Sequence, residues 1–565
     1  GPLPALAIPT TLQESLIARL DRLNTVKTIA QIGACIGREF SHELVATVSP
    51  LSDNELQSAF QQLIEAQIVI RQGGASQGSY IFKHALLQDA AYDSLLKEPR
   101  RGFHDRIADG LTSKFPDIVA NTPELLASHL SKAERFSEAV DHWCEAGIRA
   151  VRASANTEAI NHLEEGLKYL ELEAPLPSRD KRELELYAPY ALAMTNLHGY
   201  GSQKTGAVYE RAFALSRNVE NPPELFQILY GLSVNRSVGG RLTEGVSIAK
   251  ELAMYADSKD DNAGCAMAHR LYGAIIACVP DFEQTKIHCE KALDAYEKVD
   301  SPKFTDEYGH DPKAQSLVYL AWAQVHMGFP DQGMALAQEG VAHAETLDFS
   351  YGLALANSVA GVVFKDLNNP EQTNLHAEAL LTIGKKNHFH MLEGMGLVLS
   401  GWVDHRRETP NSLKKMEQGF TKLNTTGSDL FATMLRNAHI ETLLNQDYYA
   451  EAEHEIEQGL SNGEKSGYRW HFPEFIRLKA VCKLGGQKPD LTEIEAIFFE
   501  SLELAEKHKD KLWQLRCANS LAKLMAERQE RQKAYDLLFP IYNWYTEGFN
   551  TVDLKEANEL LAQLQ

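Results

Sequence analysis

Residues 239–245, which read GGRLTEG, decide the fold, because their pattern returns as GFPDQG at 328–333 and as QDYYAEA at 446–452. Each copy has a turn, then a bulky apolar residue, then a small residue where two helices must approach closely. The final position recurs at intervals near forty residues, at Gly206, Gly245, Thr285, Gly333, Thr373, Leu413, Ala452, Glu493 and Ala534. A fixed period of this length predicts a solenoid of stacked helical hairpins that exposes a concave binding surface.

The period is longer than the roughly 34 residues of a tetratricopeptide repeat, so we expect longer helices or looser turns. One step, from Thr285 to Gly333, is longer than the others. It contains an extra stretch at 300–312, which we expect to form a loop on one rim of the array.

The N-terminal hundred residues follow another plan. Apolar residues at helical spacing predict helices over 12–23 and 29–36, and Ser52 begins a capping sequence that predicts a third. The β-branched run 68–70, the glycines after it, and 80–82 predict a β-hairpin. Three helices with a hairpin are typical of a winged helix.

The chain is therefore predicted to be mostly α. We expect a winged-helix-like domain at 1–98, connecting helices and a first hairpin at 99–175, and a repeat superhelix related to tetratricopeptide arrays at 176–565.

Charge and composition exclude several classes of function. The net charge is −21, and residues 1–110 hold ten Lys and Arg against twelve Asp and Glu. Nucleic-acid and membrane-surface binding both favour a basic face, which neither part supplies. The basic cluster Lys97, Arg100, Arg101 and Arg106 lies after the hairpin beside Glu98 and Asp105, which is typical of a solvated helix face. DNA binding by the winged helix is the minor alternative.

The seven cysteines are scattered and never form a CxxC pair. This predicts buried thiols in a reducing compartment, hence a cytoplasmic protein, with neither disulfides nor a zinc site. No run reaches the roughly 18 apolar residues of a membrane span.

Several segments together resemble bacterial signalling ATPases of the STAND type (signal transduction ATPases with numerous domains). They are LIARLDRL at 16–23, IG at 32–33 with GREF at 37–40, FKHALLQDAAY at 82–92, PELLASHL at 123–130, HGYG at 198–201, GHDP at 309–312, GFPDQ at 328–332, and GYRW at 467–470 with Glu474 and Arg477. The resemblance covers nearly the whole chain.

In many such proteins a class III adenylate/guanylate cyclase domain precedes the ATPase. The resemblance implies that the winged helix closes a nucleotide-binding unit and that the repeats form a sensor. We expect an ATPase that binds ATP or ADP upstream of residue 1, and no cofactor in this chain. The opening Gly1-Pro2-Leu3, which lacks an initiator Met, also indicates a piece of a longer protein.

His84 matches the winged-helix histidine of STAND proteins, which approaches the β-phosphate of bound ADP. This sequence reads Lys-His-Ala rather than Met-His-Asp, so the acidic third member is missing. A histidine packed at a strand–helix junction is the equally weighted alternative.

No catalytic or metal motif is apparent. The segment 199–205 places Gln203 before its lysine and lies within helical hairpins, so we interpret it as a repeat turn rather than a phosphate loop. His388 and His390 lack partners at metal-ligand spacing.

Candidate ligand- or partner-binding residues are aromatic and polar side chains in the array, since aromatics can grip a ligand and arginine can bind a carboxylate or phosphate. They are Arg270, Tyr272, His310, Asp311, Tyr319, Trp322, Trp402, Tyr468, Arg469, Trp470, Glu474 and Arg477. Core packing is the alternative for each, and Asp311 before Pro312 also reads as a helix N-cap.

These features favour a non-catalytic sensor or regulatory region of a multidomain signalling ATPase or cyclase, which binds a protein or small molecule on its concave surface. The alternatives are the inducer-binding sensor of a STAND transcription activator and a protein-interaction scaffold that has no switching role.

Overall fold

The computed structural model describes residues 25–72, 78–172, 178–299, 304, 311–427, 429–486 and 489–565. They separate into two units, which divide between Leu197 and His198. The described part holds 28 helices and three short strands, all of which precede residue 83. This confirms the mostly α class that the periodicity predicts. The predicted domain limits at 98 and 175 stay predictions.

The first unit begins with three helices and a three-stranded sheet. In chain order they are α1 (Thr25–Ile36), β1 (Glu39–Ser41), α2 (His42–Val48), α3 (Asp53–Glu65), β2 (Val69–Gln72) and β3 (Ser79–Phe82). β3 lies between β1 and β2 and is antiparallel to both. The predicted hairpin and the helices over 29–36 and after Ser52 are confirmed, whereas the predicted helix 12–23 lies outside the described residues.

A capping sequence begins α3, and aromatic contacts hold the sheet against the helices. The Ser52 amide donates to Glu55 Oε2 at 2.9 Å, and the Ser52 hydroxyl donates to the same oxygen at 2.6 Å, so the predicted capping sequence does begin α3. The sheet packs on the helices through aromatic rings, of which Phe60 and Tyr80 stack at 3.9 Å between centroids. Burial of these rings holds the hairpin against the helices.

Seven further helices complete the first unit: α4 (Ala85–Asp93), α5 (Lys97–Lys114), α6 (Pro116–Asn121), α7 (Pro123–Lys132), α8 (Phe136–Arg152), α9 (Asn156–Leu172) and α10 (Arg179–His198). The predicted basic cluster lies on α5. Lys97 and Arg101 pair with Glu134, and Arg106 donates to the Val48 carbonyl oxygen at 3.3 Å. These contacts hold α5 against its own unit.

The second unit is a series of helical hairpins. α11 (Gln203–Ser216) is followed by eight pairs: α12 (Leu225–Val238) with α13 (Leu242–Asp257), α14 (Asn262–Ile276) with α15 (Phe282–Tyr296), α16 (Pro312–His326) with α17 (Pro330–Glu345), α18 (Ser350–Asp366) with α19 (Pro370–Asn387), α20 (His390–Arg406) with α21 (Ser412–Thr425), α22 (Asp429–Leu444) with α23 (Tyr449–Ser466), α24 (Phe472–Leu484) with α25 (Leu491–Lys507), and α26 (Lys511–Glu527) with α27 (Arg531–Asn543). α28 (Val552–Leu564) ends the series.

The forty-residue period is confirmed as a period of hairpins. All nine recurring positions fall within the first four residues of an outer helix, from Gly206 in α11 to Ala534 in α27. Close approach explains the small residues: a Cβ on Gly245 would lie 2.1 Å from Ser237 Oγ, and one on Gly333 would lie 2.5 Å from Val325 Cγ2. The array is therefore an α-solenoid.

Burial distinguishes the inner helices from the outer ones. Fourteen of the fifteen residues of α16 are buried, against six of the sixteen residues of α17. A helix that is buried all round has neighbours on every side. The first helix of each hairpin is thus an inner helix, and the second faces solvent along one side.

Hairpins more than 200 residues apart touch one another. Tyr468 donates to the Ser237 carbonyl oxygen and accepts from the Gly240 amide at 3.0 Å. The Gln332 amide donates to Glu547 at 3.0 Å. The array therefore coils tightly enough for later hairpins to contact earlier ones.

The interior of the second unit is partly filled by its own side chains. Trp322 of α16 and Trp470, just before α24, meet edge to face at 5.9 Å between centroids, and both are fully buried. At this level of the array the two rings occupy part of the interior, and the concave binding surface that the period predicts stays a prediction. Bulky rings on the inner helices occupy the space, because burying them removes a large apolar area from water.

Among the described helices, none is both long enough and apolar enough to cross a membrane.

Candidate functional site

Arg270 is a buried cation at the centre of a tyrosine cluster. Its side chain projects from α14, is 4% exposed, and donates through Nη2 to the Tyr230 hydroxyl of α12. The Nε atom has no hydrogen-bond partner within the described part of the chain, and no carboxylate there forms an ion pair with Arg270. We call Arg270 with Tyr200, Tyr230, Tyr319 and Tyr351 the Arg270 cluster.

Burial keeps four ionisable neighbours of Arg270 neutral at pH 7, namely Tyr200, Tyr319, Tyr351 and Cys289. Burial raises the pKa of Tyr351 to about 12 and that of Tyr319 further, although the guanidinium charge acts in the opposite direction. Burial likewise raises the pKa of the Tyr200 hydroxyl far above its usual range, and that of the Cys289 thiol to about 12. None of these groups therefore compensates the charge of Arg270.

Close packing fixes the position of the cluster. The Asn235 side chain donates to the carbonyl oxygens of Tyr200 and Ser202, which holds the turn that carries Tyr200. On α12, a Cβ added to Gly231 would lie 2.1 Å from Tyr209 Cζ, so the Tyr209 ring lies directly on the helix beside Tyr230. Tyr200 and Tyr351 are half-buried, so solvent reaches this end of the cluster.

Tyr272 lies on the same helix but faces another group. Its ring packs against His288 at 4.4 Å between centroids. His269 Nδ1 is 2.9 Å from His288 Nδ1, and His269 Nε2 is 2.8 Å from Asp257 Oδ1. Burial, with the nearby His269, lowers the pKa of His288 to about 4, so this ring is neutral at pH 7. The arrangement joins α13, α14 and α15.

A second polar cluster lies beside a cavity of about 310 Å³, which is lined by residues of α20, α22, α24, α26 and α28. Arg477 donates to both Glu474 oxygens at 2.7 Å, and Arg516 donates to both Asp553 oxygens at 3.0 and 2.7 Å. Glu441 accepts from the Trp402 indole at 3.2 Å. Here each buried arginine has its own carboxylate, in contrast to Arg270.

A third group lies deeper. His326 is fully buried, with Nδ1 2.9 Å from Asp510 Oδ2 and Nε2 3.6 Å from Asp366 Oδ2. Lys365 lies 2.6 Å from Asp366 and donates to Asn437 at 2.8 Å. These ion pairs and the hydrogen bond to Asn437 link α16, α18 and α22 with Asp510, the N-cap of α26, and their burial among other side chains indicates a structural role.

The predicted site residues separate into groups. Arg270 and Tyr319 share the first cluster, while Trp402, Glu474 and Arg477 share the second. Trp322, Tyr468 and Trp470 are buried in contacts between distant hairpins. Their predicted binding role stays a prediction.

The remaining candidates lie elsewhere. Arg469 is half-exposed and pairs with Glu464 at 2.7 Å. Asp311 accepts from the Ala314 amide at 2.8 Å, which confirms its reading as the N-cap of α16. His310 lies outside the described residues. His84 is exposed at the start of α4 and makes no side-chain cap, so it is not packed into the junction.

Sequence reasoning missed most of the Arg270 cluster. Tyr230 precedes Arg270 by one forty-residue period, so the repeat spacing could have paired them. Tyr200 was interpreted only as part of a repeat turn. Tyr351 carries no local pattern that distinguishes it from other inner-helix residues. The same holds for Arg516, which the sequence analysis missed in the second cluster.

No protein-family model matches the chain. An uncharacterized protein of Rhizobium meliloti (strain 1021) is 22% identical over 491 residues, which cover 84% of this chain and 47% of that protein. The chain therefore spans about half the length of this curated relative.

Two solved structures are similar in part. A Rap protein complexed with competence and sporulation factor has a TM-score of 0.41 at 11% identity, over 76% of this chain and all of its own. A STAND protein with a tetratricopeptide repeat sensor from Pyrococcus horikoshii has a TM-score of 0.37 at 12% identity, over 73% of this chain and 65% of its own. At these scores neither likeness carries an argument about function.

Proposed function

We propose that this chain is a non-catalytic sensor and regulatory region of a larger cytoplasmic signalling protein, and that the Arg270 cluster is its ligand-binding site. The ligand would bind the inner helices of the second unit. Its binding would shift an equilibrium between arrangements of the hairpins, which other domains would read. The resemblance to STAND ATPases supports an upstream ATPase and, in some arrangements, a cyclase.

One observation carries this proposal: Arg270 is buried without a carboxylate partner among the described residues. A buried charge whose partner is removed destabilises a protein by about 3–5 kcal/mol. Proteins break local packing rules mainly at functional or strained sites, so we infer that a ligand supplies the missing counter-charge. In the two other polar clusters the charged groups form ion pairs: Arg477 with Glu474, Arg516 with Asp553, and His326 and Lys365 with Asp510 and Asp366.

The first unit would transmit the signal. The order helix, strand, two helices, hairpin, with β3 between β1 and β2, supports a winged-helix module. His84 is exposed at its surface, which suits the contact with bound ADP that the resemblance implies. We propose that this surface meets the nucleotide-binding domain in the intact protein.

A thermal-unfolding screen of the chain against small metabolites and short peptides tests the proposal. We expect at least one compound to raise the melting temperature, because a ligand that binds only the folded state stabilises it. Tyr319→Phe, which removes one hydroxyl of the cluster, should weaken that effect. Arg469→Gln, a change at a half-exposed arginine outside the cluster, should leave it intact. Compounds that stabilise both variants and the parent equally would place binding elsewhere.

A protein-interaction scaffold without switching is the second candidate. The 310 Å³ cavity favours it, because its balanced positive and negative groups suit a peptide, which carries both charges. A peptide hit whose effect is lost in Ser520→Trp, a change at the wall of this cavity, and retained in Tyr319→Phe would favour the scaffold.

A further inference from the structure

The charge of Arg270 indicates which chemical class of ligand it can bind. The guanidinium lies in a low-dielectric interior, where an opposite charge stabilises it far more than in water. Burial raises the pKa of the Tyr319 and Tyr351 hydroxyls in the cluster, so both are neutral at pH 7. Phenol hydroxyls donate hydrogen bonds to anions, and charge-assisted bonds of this kind are stronger than neutral ones.

Two carboxylates at the ends of helices that pack against α14 are engaged with other partners. Asp257 lies 2.8 Å from His269 Nε2, and Asp311 lies 3.3 Å from His343 while it caps α16. The Arg270 Nε atom therefore faces no acceptor among the described residues.

We propose, resting on the function proposed above, that the Arg270 cluster binds a small oxyanion, a carboxylate or a phosphate group, which pairs with Arg270 and accepts hydrogen bonds from the surrounding tyrosines. Tyr200 and Tyr351 are the half-buried members of the cluster, so we expect a single such group to enter beside them. The net charge of −21 on the chain further disfavours polyanions.

Arg236 provides a matched control on α12. It is 7% exposed, comparable to Arg270, but it pairs with Glu210 and with Glu244 Oε2, the latter at 3.4 Å. Replacing Arg236 removes its ion pairs with Glu210 and Glu244, although Arg241 still pairs with both carboxylates. Replacing Arg270 instead relieves a desolvated charge that has no carboxylate partner among the described residues. The two substitutions are therefore expected to change stability in opposite directions.

The experiment measures thermal unfolding of the whole 565-residue chain and of its Arg270→Met and Arg236→Met variants in sodium chloride at neutral pH. We expect Arg270→Met to raise the melting temperature and Arg236→Met to lower it. A melting temperature that falls in Arg270→Met as it does in Arg236→Met would show that the charge is already compensated and would overturn the inference.

The same three proteins are then compared in sodium acetate and in sodium phosphate at equal ionic strength, with acetamide as the neutral analogue of acetate. We expect acetate or phosphate to raise the melting temperature of the parent and of Arg236→Met by a few degrees more than that of Arg270→Met, since binding to the folded state stabilises it. The Arg270→Met response gives the baseline for general salt effects.

The responses to acetate and phosphate distinguish the possible ligand classes. A response to acetate alone identifies a carboxylate ligand, and a response to phosphate alone identifies a phosphate ligand. Equal responses in all three proteins overturn the oxyanion inference. If a neutral or cationic compound from the metabolite screen then stabilises the parent but not Tyr319→Phe, the sensor function stands while its ligand class changes.

Discussion

At the scale of single residues, His326 connects parts of the chain that are far apart in sequence. Burial disfavours its charged form, but the carboxylates of Asp510 and Asp366 outweigh burial and raise the pKa of His326 to about 9. Lys365 and His326 in turn lower the pKa of Asp366 against the effect of burial. The imidazolium is therefore the form that the folded protein holds at neutral pH.

This pairing predicts a pH dependence of stability. The pKa of His326 in the folded protein exceeds its unfolded value of about 6.5, so the stabilisation from its ion pairs is complete below that pH. As the pH rises toward 9 this stabilisation is lost, which lowers the free energy of unfolding by up to about 3 kcal/mol. Urea unfolding of the parent at several pH values should show this fall. His326→Asn should be less stable at pH 6 and should lack the fall. An identical pH profile in both proteins would contradict the ion pairing.

Arg270 and Arg236 illustrate how residues of one type differ by their partners alone. Both are buried inner-helix arginines, but only Arg236 has carboxylates within reach in the described structure. The sequence marks Arg270 as a candidate through its residue type. It cannot show that Tyr200 and Tyr351 meet Arg270, because these residues come from separate elements as much as 151 positions apart.

At the scale of the element, small residues at the start of outer helices decide how closely each hairpin closes. Glycine at 245 lets α13 approach α12, because an added methyl group would meet Ser237 Oγ at 2.1 Å and the Ser233 carbonyl oxygen at 3.0 Å. The small residues of the repeat pattern therefore reflect a packing requirement, because a larger side chain in this tight contact would force the backbone to shift.

Gly245→Ala should accordingly lower the free energy of unfolding by about 1–3 kcal/mol, since the added Cβ has no space. Gly102→Ala is the control, because Gly102 lies within α5 with no atom within 4 Å of its added Cβ. That change should stabilise by about 0.5–1 kcal/mol through helix propensity. Denaturant unfolding measures both, and a neutral Gly245→Ala would contradict the close contact.

The sequence pattern does not predict the two short elements β1 and α2. β1 has three residues, and α2 has seven. Neither is long enough to show a period. β1 forms because Phe40 is buried and its strand pairs with β3, forty residues later. Such pairing is a tertiary event, so the local sequence carries little of it.

At the scale of the whole chain, segments with distinctive sequence meet one another within the second unit. Gly201 lies against the Gly427 backbone, the turn at Gly240 meets Tyr468, and Gly328 packs on Trp544. Several of these turns belong to the segments that resemble STAND proteins. Their residues are thus constrained by contacts between distant hairpins as well as by their own turns.

These contacts predict cooperative behaviour in the second unit. In an array whose repeats touch only neighbours, a local defect spreads mainly to adjacent repeats. Trp470→Ala should instead speed amide hydrogen exchange in α16, which contacts Trp470 through Trp322, as well as in α24. The loss of a buried tryptophan should also lower stability by about 3–5 kcal/mol.

Ile456→Ala is the matched control, because Ile456 is fully buried on the outer helix α23 among residues of adjacent hairpins. Its effect on exchange should stay within α22 to α25. Exchange in α16 that is unchanged by Trp470→Ala would show that the hairpins respond independently.

The sequence by itself determined the helical class, the forty-residue period, the hairpin at 68–82 and the caps at Ser52 and Asp311. Each follows from spacing or local hydrogen bonding, which a few neighbouring residues specify. Only the tertiary structure decided that Trp322 and Trp470 fill the interior and that four tyrosines surround Arg270. Whether an inner-helix side chain faces a ligand, a counter-charge or another ring depends on which hairpins the coiling brings together, and that follows from small rotations summed over many repeats.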